Sequence, residues 1–184
     1  MDDASVASEY EVLCCGYDAK TGASQLSAGD AIRLSEEGKL FVFDTRTVAE
    51  HEVSRLPGAK LMVPSSLSMA GALAVGSTLK FESDGSPHGD ALEMEAREAA
   101  ADGKVLVCAC TAGLRSGFAA KALSSRLGCE VRSLHGGIIA YDRAGGALEG
   151  QSGDHLSELK IHTYAANWAK YVKTGKDGTE RAVY

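Results

Sequence analysis

The chain lacks long hydrophobic runs, an excess of basic residues and any regular spacing of cysteine. None of the apolar runs in its 184 residues approaches the ~18 residues that a membrane-spanning helix needs. Lysine and arginine number 19 against 25 aspartate and glutamate, so the net charge is −6. This balance argues against a general nucleic-acid binder or a protein that binds anionic membranes. We therefore expect neither a nucleic-acid partner nor a membrane partner.

The five cysteines are odd in number and irregularly spaced, which is typical of free thiols in a reducing compartment. They are Cys14, Cys15, Cys108, Cys110 and Cys129. Cys108 and Cys110 form a C-x-C pair, but zinc takes about four ligands, and no C-x-x-C or histidine cluster completes a set. The sequence therefore predicts no metal and no cofactor.

The opening residues 1–5, Met-Asp-Asp-Ala-Ser, are acidic and show no basic segment followed by an apolar one. They resemble neither a secretory signal nor an obvious transit peptide. Together with the free thiols, this favours a cytoplasmic location, although an organellar protein whose targeting segment has been removed would look the same. The length and a hydrophobic content of 45% suit one domain with an extension.

The most informative stretch has an apolar run, Val105–Ala109, a short loop of small residues, and then apolar positions at helical spacing up to Gly128. This pattern predicts a strand, a tight loop and a helix. Cys110 then lies at the carboxyl edge of the strand, where open parallel sheets bind ligands. Because strand side chains alternate, Cys108 is expected to pack in the core on the same face as Leu106.

The loop that begins at Cys110 has the features of an anion cradle. A loop that enters a helix presents unpaired N–H groups at the positive end of the helix dipole. Small residues, with Gly113 among them, let the backbone curve around a ligand. These donors and Arg115 would stabilise a thiolate, which makes Cys110 a candidate nucleophile. The other interpretation is a small apolar side chain buried at the end of a strand.

Strands predicted near 11–15, 40–44, 59–63, 104–109 and 130–134, with helices between them, indicate an α/β domain with a mainly parallel sheet. Ser27 and Thr47 are the expected N-caps of two helices. Asp44, at a strand end, is expected to accept hydrogen bonds from nearby backbone N–H groups, and Arg46 to pair with Glu50.

The remaining segments carry weaker signals. Residues 65–89 are rich in small residues and predict an exposed loop, with a lid over the Cys110 loop as the alternative. Apolar positions over 154–172, which include Trp168, predict a helix that packs on its own domain or on a partner. Thr174–Tyr184 is expected to be frayed.

Four stretches resemble, in order, the motifs of single-domain rhodaneses, a family of sulfurtransferases. Cys110–Ser116 resembles the active-site loop C-x-x-G-x-R-S. Leu40–Arg46 resembles the strand that ends in D-x-R, and Leu56–Ala59 resembles the I-P-G-A turn. Leu134–Tyr141 resembles the segment L-x-G-G-I-x-A-W, so the resemblance covers about residues 25–148.

The resemblance implies a rhodanese-like three-layer α/β domain over 25–150 with a central, mainly parallel, five-stranded sheet. Segment 1–24 precedes it, with the strand predicted near 11–15, and a C-terminal helical extension with a frayed tail occupies 151–184. The implied activity moves a sulfane sulfur from thiosulfate or a similar small anionic donor to cyanide or a thiol, through a persulfide on Cys110. The implied substrate-binding residues are Thr111, Ala112, Gly113, Leu114, Arg115 and Ser116, with Asp44 and Arg46 in support.

Two other functions stay open. A non-catalytic rhodanese-like module would dock a protein partner through the C-terminal helix, although an intact Cys110 and Arg115 argue against it. A rhodanese-related phosphatase also uses a cysteine and an arginine around an oxyanion. Such phosphatases carry a roomier C-x5-R loop, whereas the loop here is C-x4-R, which favours sulfur over phosphate.

Overall fold

The computed structural model describes residues 2–62, 87–150, 155–156 and 159–184. Most of the predicted loop or lid at 65–89 lies outside these residues, and its last three residues instead begin a helix. The elements, in chain order, are α1 Asp3–Thr21, β1 Gln25–Leu26, α2 Ala28–Glu36, β2 Leu40–Asp44, α3 Val48–Val53, β3 Lys60–Leu61, α4 Pro87–Ala101, β4 Val105–Ala109, α5 Leu114–Leu127, β5 Val131–Leu134, α6 Gly137–Arg143, β6 Leu148–Glu149, β7 His155–Leu156, β8 Ile161–His162, a 3₁₀ helix Ala166–Tyr171, and β9 Ala182–Val183.

The central sheet has five parallel strands in the order β1-β5-β4-β2-β3. In its longest pairing, Leu40 is opposite Val105 and Asp44 is opposite Ala109, so β2 and β4 end together at one edge. This confirms the predicted α/β class and the parallel five-stranded sheet. The first strand, however, is Gln25–Leu26 and not the predicted 11–15.

Alternation along the strands divides the core into two apolar layers. Val42 and Val107 face one layer, while Phe43, Leu106 and Cys108 face the other. Cys108 is fully buried beside Leu106, as the strand period predicts. With helices on both faces, the sheet is the middle of three layers.

The N-terminal segment is a helix, so the strand predicted near 11–15 is wrong. Asp2 caps α1 by accepting a hydrogen bond from the Ser5 N–H at 2.8 Å. Cys14 is buried and Cys15 is exposed, as expected for neighbours on a helix that buries one side. The helix lies against α5 at Gly117, where a Cβ would come within 2.5 Å of Thr21 Oγ1.

The described part of the C-terminal segment holds short strands and a 3₁₀ helix, which corrects the predicted helix over 154–172 and the predicted fraying. Among the residues described there, 155–156 and 159–184, the helical stretch is Ala166–Tyr171, and it is a 3₁₀ helix. Beyond it, β9 pairs in parallel with β8, and the buried Arg181 donates to both carboxylate oxygens of Asp142, at 3.1 and 2.6 Å. The 3₁₀ helix packs on α1, and docking of a partner there stays a prediction.

None of the helices within the described ranges is long and apolar enough to cross a membrane.

Candidate active site

Cys110 directly follows β4 and is 2% exposed. Its Sγ accepts hydrogen bonds from the Gly113 N–H at 3.2 Å and from the Ser116 hydroxyl at 3.4 Å. Helix α5 begins at Leu114, and its first backbone bond runs from the Gly117 N–H to Gly113 O at 2.9 Å. The sulfur therefore lies at the positive end of a 14-residue helix, whose first N–H groups have no partner within the helix.

Ser116 connects the sulfur to the central sheet. Its hydroxyl lies 3.0 Å from the hydroxyl of Ser133 in β5, and both residues are fully buried. A hydroxyl has one proton to donate and two lone pairs to accept with. When Ser133 donates to Ser116, the one proton of the Ser116 hydroxyl has two acceptors, Cys110 Sγ at 3.4 Å and Gly113 O at 3.1 Å.

The guanidinium of Arg115 is bound by Glu50 rather than pointing freely into solvent. Its terminal nitrogens donate to the two carboxylate oxygens of Glu50 at 2.9 and 2.6 Å. Burial raises the pKa of Glu50, but the hydrogen bonds and the charge of Arg115 outweigh it and lower that pKa to about 2. Burial likewise lowers the pKa of Arg115, and the hydrogen bonds that Arg115 donates to Glu50 outweigh this effect and raise that pKa overall. Thr111 Oγ1 joins the pair, at 3.0 Å from Glu50 and 2.8 Å from Arg115.

A capping box at the start of α3 holds Glu50 in place. The Thr47 hydroxyl accepts from the Glu50 N–H at 3.3 Å, and the Glu50 carboxylate accepts from the Thr47 N–H at 2.9 Å. The helix that Thr47 caps, as predicted from the sequence, therefore carries the carboxylate that binds the arginine of the loop.

Asp44 and Arg46, the predicted supporting residues, form a separate buried pair. Arg46 Nε and a terminal nitrogen donate to Asp44 at 2.9 and 2.7 Å, and the Arg46 N–H donates at 3.1 Å. His51 Nδ1 lies 2.8 Å from the same carboxylate. Arg46 therefore pairs with Asp44, not with Glu50, and this group braces the loop between β2 and α3.

A second loop, at 136–137, packs against the cysteine loop. The Ile138 N–H donates to Cys110 O at 2.8 Å, and Tyr10 of α1 donates its hydroxyl to Gly136 O at 2.6 Å. Gly137 is packed against the cysteine loop, since a Cβ there would lie 2.2 Å from Cys110 O. The glycine pair at 136–137 thus lets two loops approach each other closely.

An open pocket of about 320 Å³, its solvent mouth included, leads to Cys110. Loop residues form its floor, namely Cys110, Thr111, Ala112, Leu114 and Arg115. Its wall consists of Tyr17 from α1 and of Tyr164 and Trp168 from the C-terminal segment. Of the predicted loop residues, Gly113 and Ser116 contact the sulfur from behind and do not line the pocket.

The sequence reasoning did not identify the three aromatic wall residues as part of the site. Tyr17 and Trp168 are 6.2 Å apart between ring centroids, and Arg115 Cζ lies 5.2 Å from the centroid of the Tyr164 ring. Tyr164 has a φ of +67°. Among the described residues, it is the one non-glycine residue with a positive φ. The concentration of aromatic residues over 164–171 is the one sequence signal that accompanies them.

Within the described part of the chain, no three His, Cys, Asp or Glu side chains come together as a metal site would require.

A family model of the rhodanese-like domain matches residues 27–144. This match spans the whole central sheet apart from β1, and it includes the cysteine loop and Glu50. The fold and the site thus define a rhodanese-like α/β domain with a cysteine at the start of a helix. The chain belongs to the rhodanese-like domain family, and the resemblance in the sequence motifs is confirmed.

Solved structures similar to this chain include a thiosulfate sulfurtransferase from Pseudomonas aeruginosa, at 18% identity and a TM-score of 0.49, covering 79% of this chain and 23% of that one. A protein of unknown function from Rhodopseudomonas palustris, described as a possible tyrosine phosphatase, has 24% identity and a TM-score of 0.48, covering 76% and 93%. An As-Sb reductase from Leishmania major has 17% identity and a TM-score of 0.44, covering 73% and 92%. Such likeness carries no argument about activity. No curated protein matches the sequence significantly.

Proposed function

We propose that the protein is a sulfurtransferase in which Cys110 carries a sulfane sulfur between a small anionic donor, such as thiosulfate, and a thiol or cyanide. One observation carries the proposal: Cys110 Sγ accepts from the Gly113 N–H and the Ser116 hydroxyl at the start of α5, beside an open pocket. Donors of this kind stabilise negative charge on the sulfur.

The reaction is a two-step transfer through a covalent intermediate. The thiolate of Cys110 attacks the outer sulfur of thiosulfate, a new S–S bond forms, and the old S–S bond breaks with its electron pair leaving on sulfite. An acceptor thiolate or cyanide then attacks the outer sulfur of the persulfide and releases the Cys110 thiolate. The sulfane sulfur is transferred without any external oxidant or reductant.

Cys110 suits this role better than its neighbour in the C-x-C pair. Burial raises the pKa of the Cys108 thiol, which is fully enclosed in the core. A protonated, enclosed thiol is a poor nucleophile. All five cysteines are free, and we place the reaction in the reducing cytoplasm on that basis.

The test is mass spectrometry of the intact protein after thiosulfate treatment, together with sulfur-transfer turnover to cyanide. The wild type should gain one sulfur on Cys110, and Cys110→Ser should gain none. Cys15→Ser, which changes an exposed thiol of α1, is the matched control and should behave as the wild type. Sulfur found on Cys108 or Cys129 would assign the role of nucleophile to that cysteine. No sulfur transfer at all would favour a non-catalytic module.

Aryl phosphate hydrolysis is the second arm of the test. The C-x4-R loop is short, and Glu50 occupies both terminal nitrogens of Arg115. Phosphoryl oxygens need several donors at about 2.7–3.1 Å in the transition state, and a guanidinium already held by a carboxylate supplies few. We expect negligible hydrolysis; rapid hydrolysis without sulfur transfer would replace the proposal with a phosphatase.

A further inference from the structure

Three aromatic side chains from outside the residues matched by the family model line the pocket that leads to the proposed nucleophile. The match covers 27–144, whereas Tyr17 belongs to α1, and Tyr164 and Trp168 belong to the C-terminal segment. All three line the pocket that leads to Cys110. The two segments that flank the matched domain therefore build one wall of its candidate active site.

The wall is held in place by further aromatic contacts. Trp168 lies 5.9 Å from Tyr171 between ring centroids, and Tyr171 lies 4.8 Å from Tyr10. Tyr10 in turn donates its hydroxyl to Gly136 O, behind the cysteine loop. These contacts connect Trp168 to the segment behind the cysteine loop.

The described residues that line the pocket are mostly apolar or aromatic. Among the described residues that line it, Arg115 is the cation, and its terminal nitrogens donate to Glu50 and Thr111. The remaining face of the guanidinium lies 5.2 Å from the centroid of the Tyr164 ring. The ring of Tyr164 beside the guanidinium offers an apolar, polarisable face on which a flat ring can pack.

Tyr164 provides a second observation. Its φ of +67° is unfavourable for a residue with a bulky side chain. The backbone is held there by β8, since the Tyr164 N–H donates to His162 Nδ1 at 3.1 Å. The residue is still 43% exposed, so its ring is not needed to fill the core. Unfavourable backbone conformations of this kind cluster at functional sites.

We propose that Tyr17, Tyr164 and Trp168 select sulfur donors whose leaving group carries a flat apolar ring, in preference to donors of the same charge without a ring. This inference rests on the proposed function. The donor class is an aromatic thiosulfonate, a monoanion. The Cys110 thiolate attacks its outer sulfur, and the S–S bond breaks with its electron pair leaving on the aromatic sulfinate. The ring stacks in the aromatic wall while the sulfur lies over Cys110.

The first experiment compares benzenethiosulfonate with methanethiosulfonate, which has the same charge and reacting group but no ring. The ratio of kcat/KM for the two donors should exceed one and should fall about two- to tenfold in Tyr164→Gly, the gain expected of one aromatic contact. Glycine suits the φ of +67° and removes only the side chain. Tyr184→Gly, at a residue that is 71% exposed and away from the pocket, should leave the ratio unchanged. An equal ratio in wild type and Tyr164→Gly overturns the inference.

The second experiment measures binding without chemistry. Trp168 is the single tryptophan of the chain, so intrinsic fluorescence reports on this wall. In Cys110→Ser, benzenesulfinate should change the fluorescence at lower concentration than methanesulfinate does, and equal concentrations would overturn the inference. If benzenesulfinate binds selectively and no donor transfers sulfur, the proposed function fails and the aromatic selectivity stands. If transfer occurs without aromatic preference in either experiment, only the selectivity fails.

Discussion

The carboxylate of Glu50 binds both terminal nitrogens of the Arg115 guanidinium, at 2.9 and 2.6 Å. The loop arginine, expected from the sequence to bind substrate, is therefore engaged by a buried partner in α3. The pair fixes the loop to the first half of the domain, and it makes Arg115 a residue on which folding depends.

Arg115→Ala is expected to lower the free energy of unfolding by about 3–5 kcal/mol, because it leaves the charge of the buried Glu50 unpaired. Urea denaturation at neutral pH measures this change. Arg33→Ala, which removes an arginine with two carboxylate partners on the exposed face of α2, is the matched control and should change stability little. Unaltered stability with a large loss in kcat/KM for thiosulfate would mean that the guanidinium serves the substrate instead.

Ser116→Ala is expected to slow formation of the Cys110 persulfide about tenfold, since a hydrogen bond to a charged group is worth about 1.5–3 kcal/mol. Stopped-time mass spectrometry of the thiosulfate reaction measures the rate. Ser125→Ala is the control on the same helix, because its exposed hydroxyl donates to Lys121 O, away from the sulfur. A rate equal to that of the wild type would remove Ser116 from the stabilisation of the sulfur.

Gly137→Ala is expected to lower both stability and sulfur transfer. A Cβ there would lie 2.2 Å from Cys110 O and 2.7 Å from Ala112 N, so the backbone of the cysteine loop must move. Gly128→Ala has a similar positive φ and open space around its Cβ, so it should cost only the backbone strain, about 1–2 kcal/mol. Comparing thermal unfolding and turnover of the two variants separates strain from displacement. Equal losses of stability and of turnover in the two variants would exclude an effect specific to the cysteine loop.

Acid should destabilise the protein as Glu50 becomes protonated. The folded pKa of about 2 is below the ordinary value of 4.5, so the stabilisation is complete above pH ~4.5 and is lost as the pH falls toward ~2. The loss amounts to roughly 3 kcal/mol for this one group. Urea denaturation between pH 6 and 3 should show the free energy of unfolding falling with pH. In Glu50→Gln this fall should be smaller. An equally steep fall in the variant would assign the loss of stability to other carboxylates.

The parallel sheet and the cysteine loop could be predicted because their signals are local. The apolar run before Cys110, the small loop and the helical spacing after it correspond to β4, the loop and α5. The same holds for α2 and α3, whose N-caps Ser27 and Thr47 bond as expected.

Helix α1 could not be recognised because its buried side is sparse. Tyr10, Cys14 and Thr21 are its buried residues, and a short apolar stretch at 12–15 fits a strand equally well. The pairing of Arg115 with Glu50 could not be predicted either, because 65 positions separate the two residues in the sequence. Rules for neighbours along a helix suggested a pair between Arg46 and Glu50. Arg46 instead pairs with Asp44, two positions away, and Glu50 pairs across the fold with Arg115.

The contact between the two flanking segments has a consequence for synthesis on the ribosome. Tyr171 donates its hydroxyl to Glu9 at 2.8 Å across a separation of 162 residues, and its ring packs on Tyr10. At about 5–20 residues per second, translation leaves α1 without this partner for on the order of ten seconds. During that interval Tyr10 and its neighbours in α1 lack this part of their packing, and the contact can form only after Tyr171 has been synthesised.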